Sequence, residues 1–193
     1  SVEDNLSGIE RLFEIKKKDA KYRLTEVRLK YSEYTYILWV GSKSRLIGIE
    51  HDAMGWKVED YIFNVGDRII SICEDSQNNI WASTSQNGVI YLEKNAVENK
   101  YEMNTFDTAH GLPVNYGLRV VHYENDILIL SAKGIYKYDS ITRVFKPFKK
   151  FPLKYSNGDC QIKRFLELSD GSVVLNIHEQ GQNRIEQLIK NND

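Results

Sequence analysis

The chain is short of cysteine, proline and methionine, lacks any long apolar run, and has no surplus of charge of either sign. Each shortage removes a class of protein from consideration. Its two cysteines, Cys73 and Cys160, are too few to staple a disulfide-built scaffold. Cys73 closes the apolar run Ile69-Ile70-Ser71-Ile72-Cys73, where a buried free thiol is expected and a bridge to Cys160 is the alternative. No stretch approaches the ~18 consecutive apolar residues of a membrane span, so no membrane contact is expected within this segment. No secretory leader pattern opens the chain, an absence that a processed domain would share. With 26 Lys+Arg against 27 Asp+Glu the formal net charge is −1. Neither half is strongly basic, which leaves a nucleic-acid or anionic-membrane partner without support. The run Lys16-Lys17-Lys18 reads as a solvated turn.

The signatures of catalysis are missing too. The four histidines, His51, His110, His122 and His178, fall in no metal-ligand spacing, and neither cysteine has a CxxC partner. The 12 glycines are scattered one to a turn rather than gathered into a phosphate loop, and there is no Gly-x-Ser-x-Gly elbow. Adjacent acids such as Glu59-Asp60 and Glu74-Asp75 point to opposite faces of a strand and make poor acid–base pairs. Glu74-Asp75 reads instead as strand-end and turn chemistry. No metal site and no cofactor are expected.

What the chain does have is a repeat. Asn79-Ile80-Trp81-Ala82-Ser83-Thr84, followed by Gly88-Val89-Ile90-Tyr91, returns as Ile37-Leu38-Trp39-Val40-Gly41-Ser42 with Gly48-Ile49. It returns again as Ile127-Leu128-Ile129-Leu130-Ser131 with Gly134-Ile135-Tyr136, and more weakly as Val173-Val174-Leu175-Asn176-Ile177 with Gly181. Trp39, Trp81, Leu128 and Val174 follow one another at intervals of 42, 47 and 46 residues. A period in the forties made of several short strands predicts β-propeller blades. The 12 Tyr suit pleated, half-buried surfaces, and no segment shows a sustained helical period.

Strands are expected at 25–30, 36–41, 45–51 and 58–63, then at 67–73, 79–84, 88–92 and about 101–106. A third set falls at 118–123, 126–131, 134–138 and 143–147, and a fourth at 161–168, 172–177 and 184–189 without an outer strand. Ser7-Gly8-Ile9-Glu10-Arg11-Leu12 resembles the third strand of a blade. The predicted fold is therefore all-β, a β-propeller segment over 1–193 with about four blades of four-stranded antiparallel sheet. The blades fall at 8–22, 23–63, 67–107, 118–148 and 161–190, the first and last partial. A piece of a longer propeller is favoured over a ring closed by its own N-terminal strand. An edge left open by truncation exposes unpaired strand groups, so self-association, or pairing with the remaining blades, is expected. Within the repeat, Asp75 serves the turn before Asn79, Thr84 ends the second strand, and Gly88 frees the backbone at the next reversal. Gly48, Gly134 and Gly181 are the corresponding glycines. Trp39 and Trp81 hold equivalent places, which argues for core packing.

Residues 72–84, Ile72-Cys73-Glu74-Asp75-Ser76-Gln77-Asn78-Asn79-Ile80-Trp81-Ala82-Ser83-Thr84, resemble the repeat of the two-component regulator propellers: an acidic pair, a turn, a Trp-containing strand ending in Thr, and a glycine. His110-Gly111-Leu112-Pro113-Val114-Asn115 looks like the connector between blades of that family. Gly134-Ile135-Tyr136-Lys137-Tyr138-Asp139, followed by Thr142-Arg143-Val144-Phe145, is similar to its passage from third to fourth strand. The likeness weakens towards both ends. Leu128 and Val174 stand where the family has Trp, and Ser42, Ser131 and Ile177 stand where it has Thr. The resemblance implies a piece of a seven-bladed or double propeller, in the periplasmic or extracellular input domain of a membrane-anchored histidine kinase. It further implies a sensor of oligosaccharides, with the kinase outside this segment.

For a ligand, the long loop at 107–116 offers His110, Asn115 and Tyr116 as polar and aromatic contacts. Against that, Gly111-Leu112-Pro113 suits a blade-to-blade crossover with Leu112 filling core. Trp56 breaks the repeat pattern and is a further candidate contact. The function expected is a non-catalytic extracytoplasmic sensor segment. The alternatives are a carbohydrate-active propeller enzyme, a lyase or glycosidase with an acid beside His110 and Tyr116, and a protein–protein scaffold.

Overall fold

A computed structural model describes residues 26–31, 36–52, 54–95 and 100–189. The partial blade expected at 8–22 and the run Lys16-Lys17-Lys18 lie outside them. The described chain is strand after strand, ordered in four antiparallel sheets that follow the sequence without crossovers. By its internal packing it divides into Ser1–Ile72 and Cys73–Asp193.

In the first of these units, β1 (Glu26–Tyr31), β2 (Tyr36–Gly41), β3 (Arg45–Asp52) and β4 (Gly55–Asn64) form one sheet in the order β1-β2-β3-β4. Leu38, Val40 and Ile49 form a buried cluster, with Ile47 packed against it. Trp39, one residue out of step and so on the opposite face, is wholly buried and meets Tyr61 at 6.0 Å and Phe63 at 6.4 Å. Gly48 faces Trp39 across the ladder. A Cβ there would stand 2.8 Å from Tyr61 Cβ and 3.1 Å from Trp39 Cζ3, so this glycine makes room for rings and does not shape a turn. β4 begins at Gly55 rather than near 58, because the β3–β4 ladder runs on through His51–Trp56 to Asp52–Gly55.

The second unit carries the remaining sheets. β5 (Ile69–Glu74), in which the division falls, heads the order β5-β6-β7-β8 with β6 (Ile80–Thr84), β7 (Val89–Asn95) and β8 (Lys100–Phe106). β9 (Arg119–Tyr123), β10 (Asp126–Ser131), β11 (Gly134–Asp139) and β12 (Val144–Pro147) form the next sheet. β13 (Gln161–Glu167), β14 (Val173–Glu179) and β15 (Gln182–Leu188) form a three-stranded one.

The unbroken apolar run of β10 has a direct cause. Ile127 and Ile129 enter a core with Trp81, Val89 and Tyr91, while Leu128 and Leu130 enter another with Ile162, Val173 and Leu175. A sheet hidden on both faces has no polar side to alternate with. Each of these four side chains contributes roughly 2–3 kcal/mol on burial.

A hydroxyl at the end of the second strand locks the following reversal in three sheets. Ser42 Oγ donates to Arg45 O at 3.0 Å, Thr84 Oγ1 to Gly88 O at 3.0 Å, and Ser131 Oγ to Gly134 O at 2.8 Å. In the last sheet Ile177 takes that place, and the β14–β15 hairpin turns through Gln180 (φ 49°) and Gly181 (φ 80°) instead.

Two short helical elements depart from the expected all-strand pattern, the 3-10 turn Thr108–His110 and a helical turn after β12. Leu153–Ser156 forms a single helical turn, α1, after Pro152, too short to leave a periodic trace in the sequence. It sets Tyr155 into the core at 1% exposure, and the Tyr155 phenol and the Lys154 ammonium both donate to the Glu186 carboxylate. Cys73 and Cys160 are both buried and form no disulfide.

Candidate functional site

Within residues 73–193, the sheets β5–β8 and β9–β12 leave a cleft of about 560 Å³ between them. One wall is the turn after β5. Asp75 Oδ1 accepts the backbone N–H groups of Gln77 and Asn79, each at 2.9 Å. Its Oδ2 accepts Asn79 Nδ2 at 3.0 Å and Trp81 Nε1 at 2.9 Å. Asn78 takes the left-handed torsion (φ 68°) that the turn requires. Asn79 Oδ1 accepts the Lys94 amide at 2.9 Å, tying the turn to β7. The carboxylate thus fixes both the turn and the indole.

The floor is aromatic. Trp81, 1% exposed, has Tyr91 at 4.2 Å and the edge of Tyr138 at 4.7 Å, with Phe106 stacked at 5.7 Å. Burial, reinforced by Glu93 and Asp75, pushes the Tyr91 phenol far above its ordinary value. Burial likewise raises Tyr138 against the opposing pull of Arg143. Both phenols stay protonated at neutral pH and remain hydrogen-bond donors.

The far wall is charged. Lys137 Nζ meets Asp126 at 2.8 Å, and Lys146 Nζ donates to Asp139 Oδ2. Asp139 Oδ1 also accepts the Ile141 and Thr142 amides at 3.0 and 3.1 Å. The Lys146 hydrogen bond, followed by that of the Thr142 amide, holds the Asp139 carboxyl far below the usual carboxylate range. Lys149 also lines the cleft and is exposed. Among the described residues, no group of three His, Cys, Asp or Glu is placed to hold a metal ion.

The loop singled out from the sequence sits elsewhere. Arg119 pairs with Leu130, and Gly88 N donates to Asn115 O at 2.8 Å. The loop therefore lies at the end of the sheets bearing the β6–β7 and β10–β11 turns, whereas the cleft opens among the β5–β6, β9–β10 and β11–β12 turns.

His110 and Asn115 are engaged in the loop itself. Asp107 caps the 3-10 turn Thr108–His110, accepting the Ala109 amide at 2.9 Å, and His110 Nδ1 stands 2.8 Å from its Oδ1. The His110 side chain, then the Ala109 amide, lowers the Asp107 carboxyl below its ordinary value. Asn115 Oδ1 accepts the Thr108 amide at 2.9 Å. Gly111 (φ 85°) closes the turn, and Leu112 is 3% exposed in the core, as a crossover requires. Tyr116 stands in solvent at 60% exposure. Trp56 lies on β4 opposite His51, and its side chain is outside the described part.

The residues that sequence reasoning passed over are Asp126, Lys137, Tyr138, Asp139, Lys146 and Lys149. The signal available was topological. In an antiparallel sheet the first-to-second and third-to-fourth strand turns share one end, so the polar turn at Asp139 belongs beside the polar turn at Asp75 in the neighbouring sheet.

No curated protein matches the chain. The chain aligns over 86% of its length with the extracellular domain of BT4673, described as a one-component system, from B. thetaiotaomicron, at 15% identity and a TM-score of 0.57, and spans 22% of that domain. It aligns over 90% of its length with a protein of unknown function from Bacteroides caccae, at 11% identity and a TM-score of 0.50, spanning 63% of it. A bifunctional GH43-CE protein from Bacteroides eggerthii aligns over 83% of the chain and 24% of its own length, at 12% identity and a TM-score of 0.43, too weak a likeness to carry an argument. Residues 65–86 match the two-component regulator propeller family. The chain therefore carries a two-component regulator propeller repeat, set among propeller-like antiparallel sheets, and that repeat includes the wall of the cleft from Asp75 to Trp81.

Proposed function

We propose that this chain is a non-catalytic segment of an extracytoplasmic sensor propeller from a two-component regulator, on the periplasmic or extracellular face of a membrane-anchored protein, and that its cleft takes an oligosaccharide. The observation that carries the reading is the coincidence of repeat and cavity. Residues 65–86, which match the regulator propeller, supply Asp75, Gln77 and Trp81 to the cleft. The state of the carboxylates supports binding over acid–base chemistry. Asp75 already accepts four N–H groups, and Asp139 is held ionised by its neighbours. Neither is poised to shuttle a proton. A ligand seated between two sheets would favour one packing of those sheets over another and so bias a kinase outside this segment.

Thermal-shift screening of the chain against a broad glycan panel tests this. At least one oligosaccharide is expected to raise Tm, and replacing two lining residues together, Asn125→Ala with Lys137→Ala, to abolish the rise. No stabilisation by any member of the panel would overturn the ligand assignment. Release of new reducing ends during incubation would overturn the non-catalytic one.

A further inference from the structure

We infer that the cleft selects an acidic saccharide, one carrying a carboxylate or sulfate group, and that Lys149 is the residue that reads the charge. The inference rests on the sensor reading above and narrows its ligand. It follows from an imbalance between donors and acceptors along the cleft. Three carboxylates and three ammonium groups line it, but they are unequally committed. A carboxylate offers about four acceptor positions. Those of Asp75 are filled by two backbone amides, the Asn79 amide and the Trp81 indole. Asp139 accepts two turn amides and Lys146, and Asp126 takes Lys137.

Each ammonium carries three N–H donors. Lys137 and Lys146 give one each to these carboxylates, and Lys149 has no carboxylate partner among the described residues. The Tyr91 and Tyr138 rings line the cleft beside these groups. The cleft is thus short of acceptors, and the group that completes it is an anion with additional acceptor oxygens. A ring bearing hydroxyls on several sides fits the rest of the lining. Gln77 and Asn125 each present a donor and an acceptor, and Ser76 and Ser140 present hydroxyls. A cavity of about 560 Å³ lies within the size range of small-ligand sites.

The test is calorimetric titration of the chain with four probes: a neutral glucan tetrasaccharide, a uronate tetrasaccharide, a sulfated tetrasaccharide and inorganic sulfate. Either acidic tetrasaccharide, or both, is expected to bind where the neutral one does not, with affinity falling as salt rises. The two acidic arms distinguish carboxylate from sulfate as the charge that is read. Lys149→Gln, at an exposed position where the fold is not at risk, is expected to weaken binding about tenfold or more, the scale of a charge-assisted hydrogen bond. The same change at Lys163, on β13, is expected to leave binding unaltered.

Binding of the neutral tetrasaccharide with equal affinity, unaffected by Lys149→Gln, would overturn the inference and leave the sensor reading standing. Equal weakening by Lys163→Gln would reduce the effect to general charge attraction and overturn it as well. Inorganic sulfate binding as tightly as the tetrasaccharides would overturn the saccharide class. Silence from all four probes would overturn the inference, and only the wider glycan screen then decides the sensor reading.

Discussion

Removing the Asp75 carboxylate strands an indole N–H and an amide side chain at once, because four donors converge on it. Asp75→Ala is expected to destabilise the chain by about 2 kcal/mol or more, read from denaturant midpoints. Trp81→Phe, which keeps most of the ring and loses the indole donor, costs about 1–2 kcal/mol. The two together cost less than their sum, since they break the same bond; strict additivity would show that the bond contributes nothing. This pair was half legible in the sequence. The place of Trp81 in the repeat marks it as core, and Asp75 has the look of a turn residue, but nothing in linear spacing says that a carboxylate six residues upstream meets the indole nitrogen. Gly88 was legible for one reason and matters for two. It adopts φ 77°, and a Cβ there would fall 2.2 Å from Phe106 O. Gly88→Ala is therefore expected to cost about 2 kcal/mol or more, above the roughly 1–2 kcal/mol of the left-handed torsion alone.

At the scale of elements, the connection between β8 and β9 turns several of its polar groups on one another, while Asn115 O accepts the Gly88 amide. Its pH response follows from the sign of one shift. The Asp107 carboxyl is lowered in the folded chain by His110 and the Ala109 amide. Its contribution is therefore present above the ordinary carboxylate value of about 3.9 and is lost as pH falls through the lower folded value. Carbon-detected NMR titration of Asp107 is expected to give a midpoint below that ordinary value, moving back towards it in His110→Ala; an identical midpoint in both proteins would remove His110 from the account and leave the Ala109 amide alone. A long loop with donors, acceptors and an aromatic resembles a binding loop, which is what points to His110 and Asn115 in the sequence. Residue types alone do not reveal that His110 Nδ1 and Asn115 Oδ1 take partners within the loop. The cleft, by contrast, is assembled from three short turns far apart in sequence, each unremarkable by itself. The strands themselves were more accessible, since apolar runs between Asn, Asp and Gly leave few other options. The α1 turn escaped because four residues cannot display a period.

At the scale of the molecule, the cores of the second unit are shared between sheets, so damage at one seam is felt on both sides of it. Leu128→Ala is expected to cost about 3 kcal/mol and to raise hydrogen exchange in β13–β15 as well as in β9–β12; enhanced exchange confined to β9–β12 would show that the seam does not couple them. The fold class was readable because this seam recurs, and its recurrence is what put Ile-Leu-Ile-Leu in β10. The same doubly oily strand has another consequence. When both neighbours of a strand are greasy, a slip by one position trades Ile for Leu and meets no penalty from polarity. Alignment then has to be policed at the strand's extremities, by the hydroxyl of Ser131 hooked on Gly134 and by the charged start at Asp126 held by Lys137. A chain constructed in this way can gain a copied unit without rewriting its interior, provided each copy brings its own end-stops.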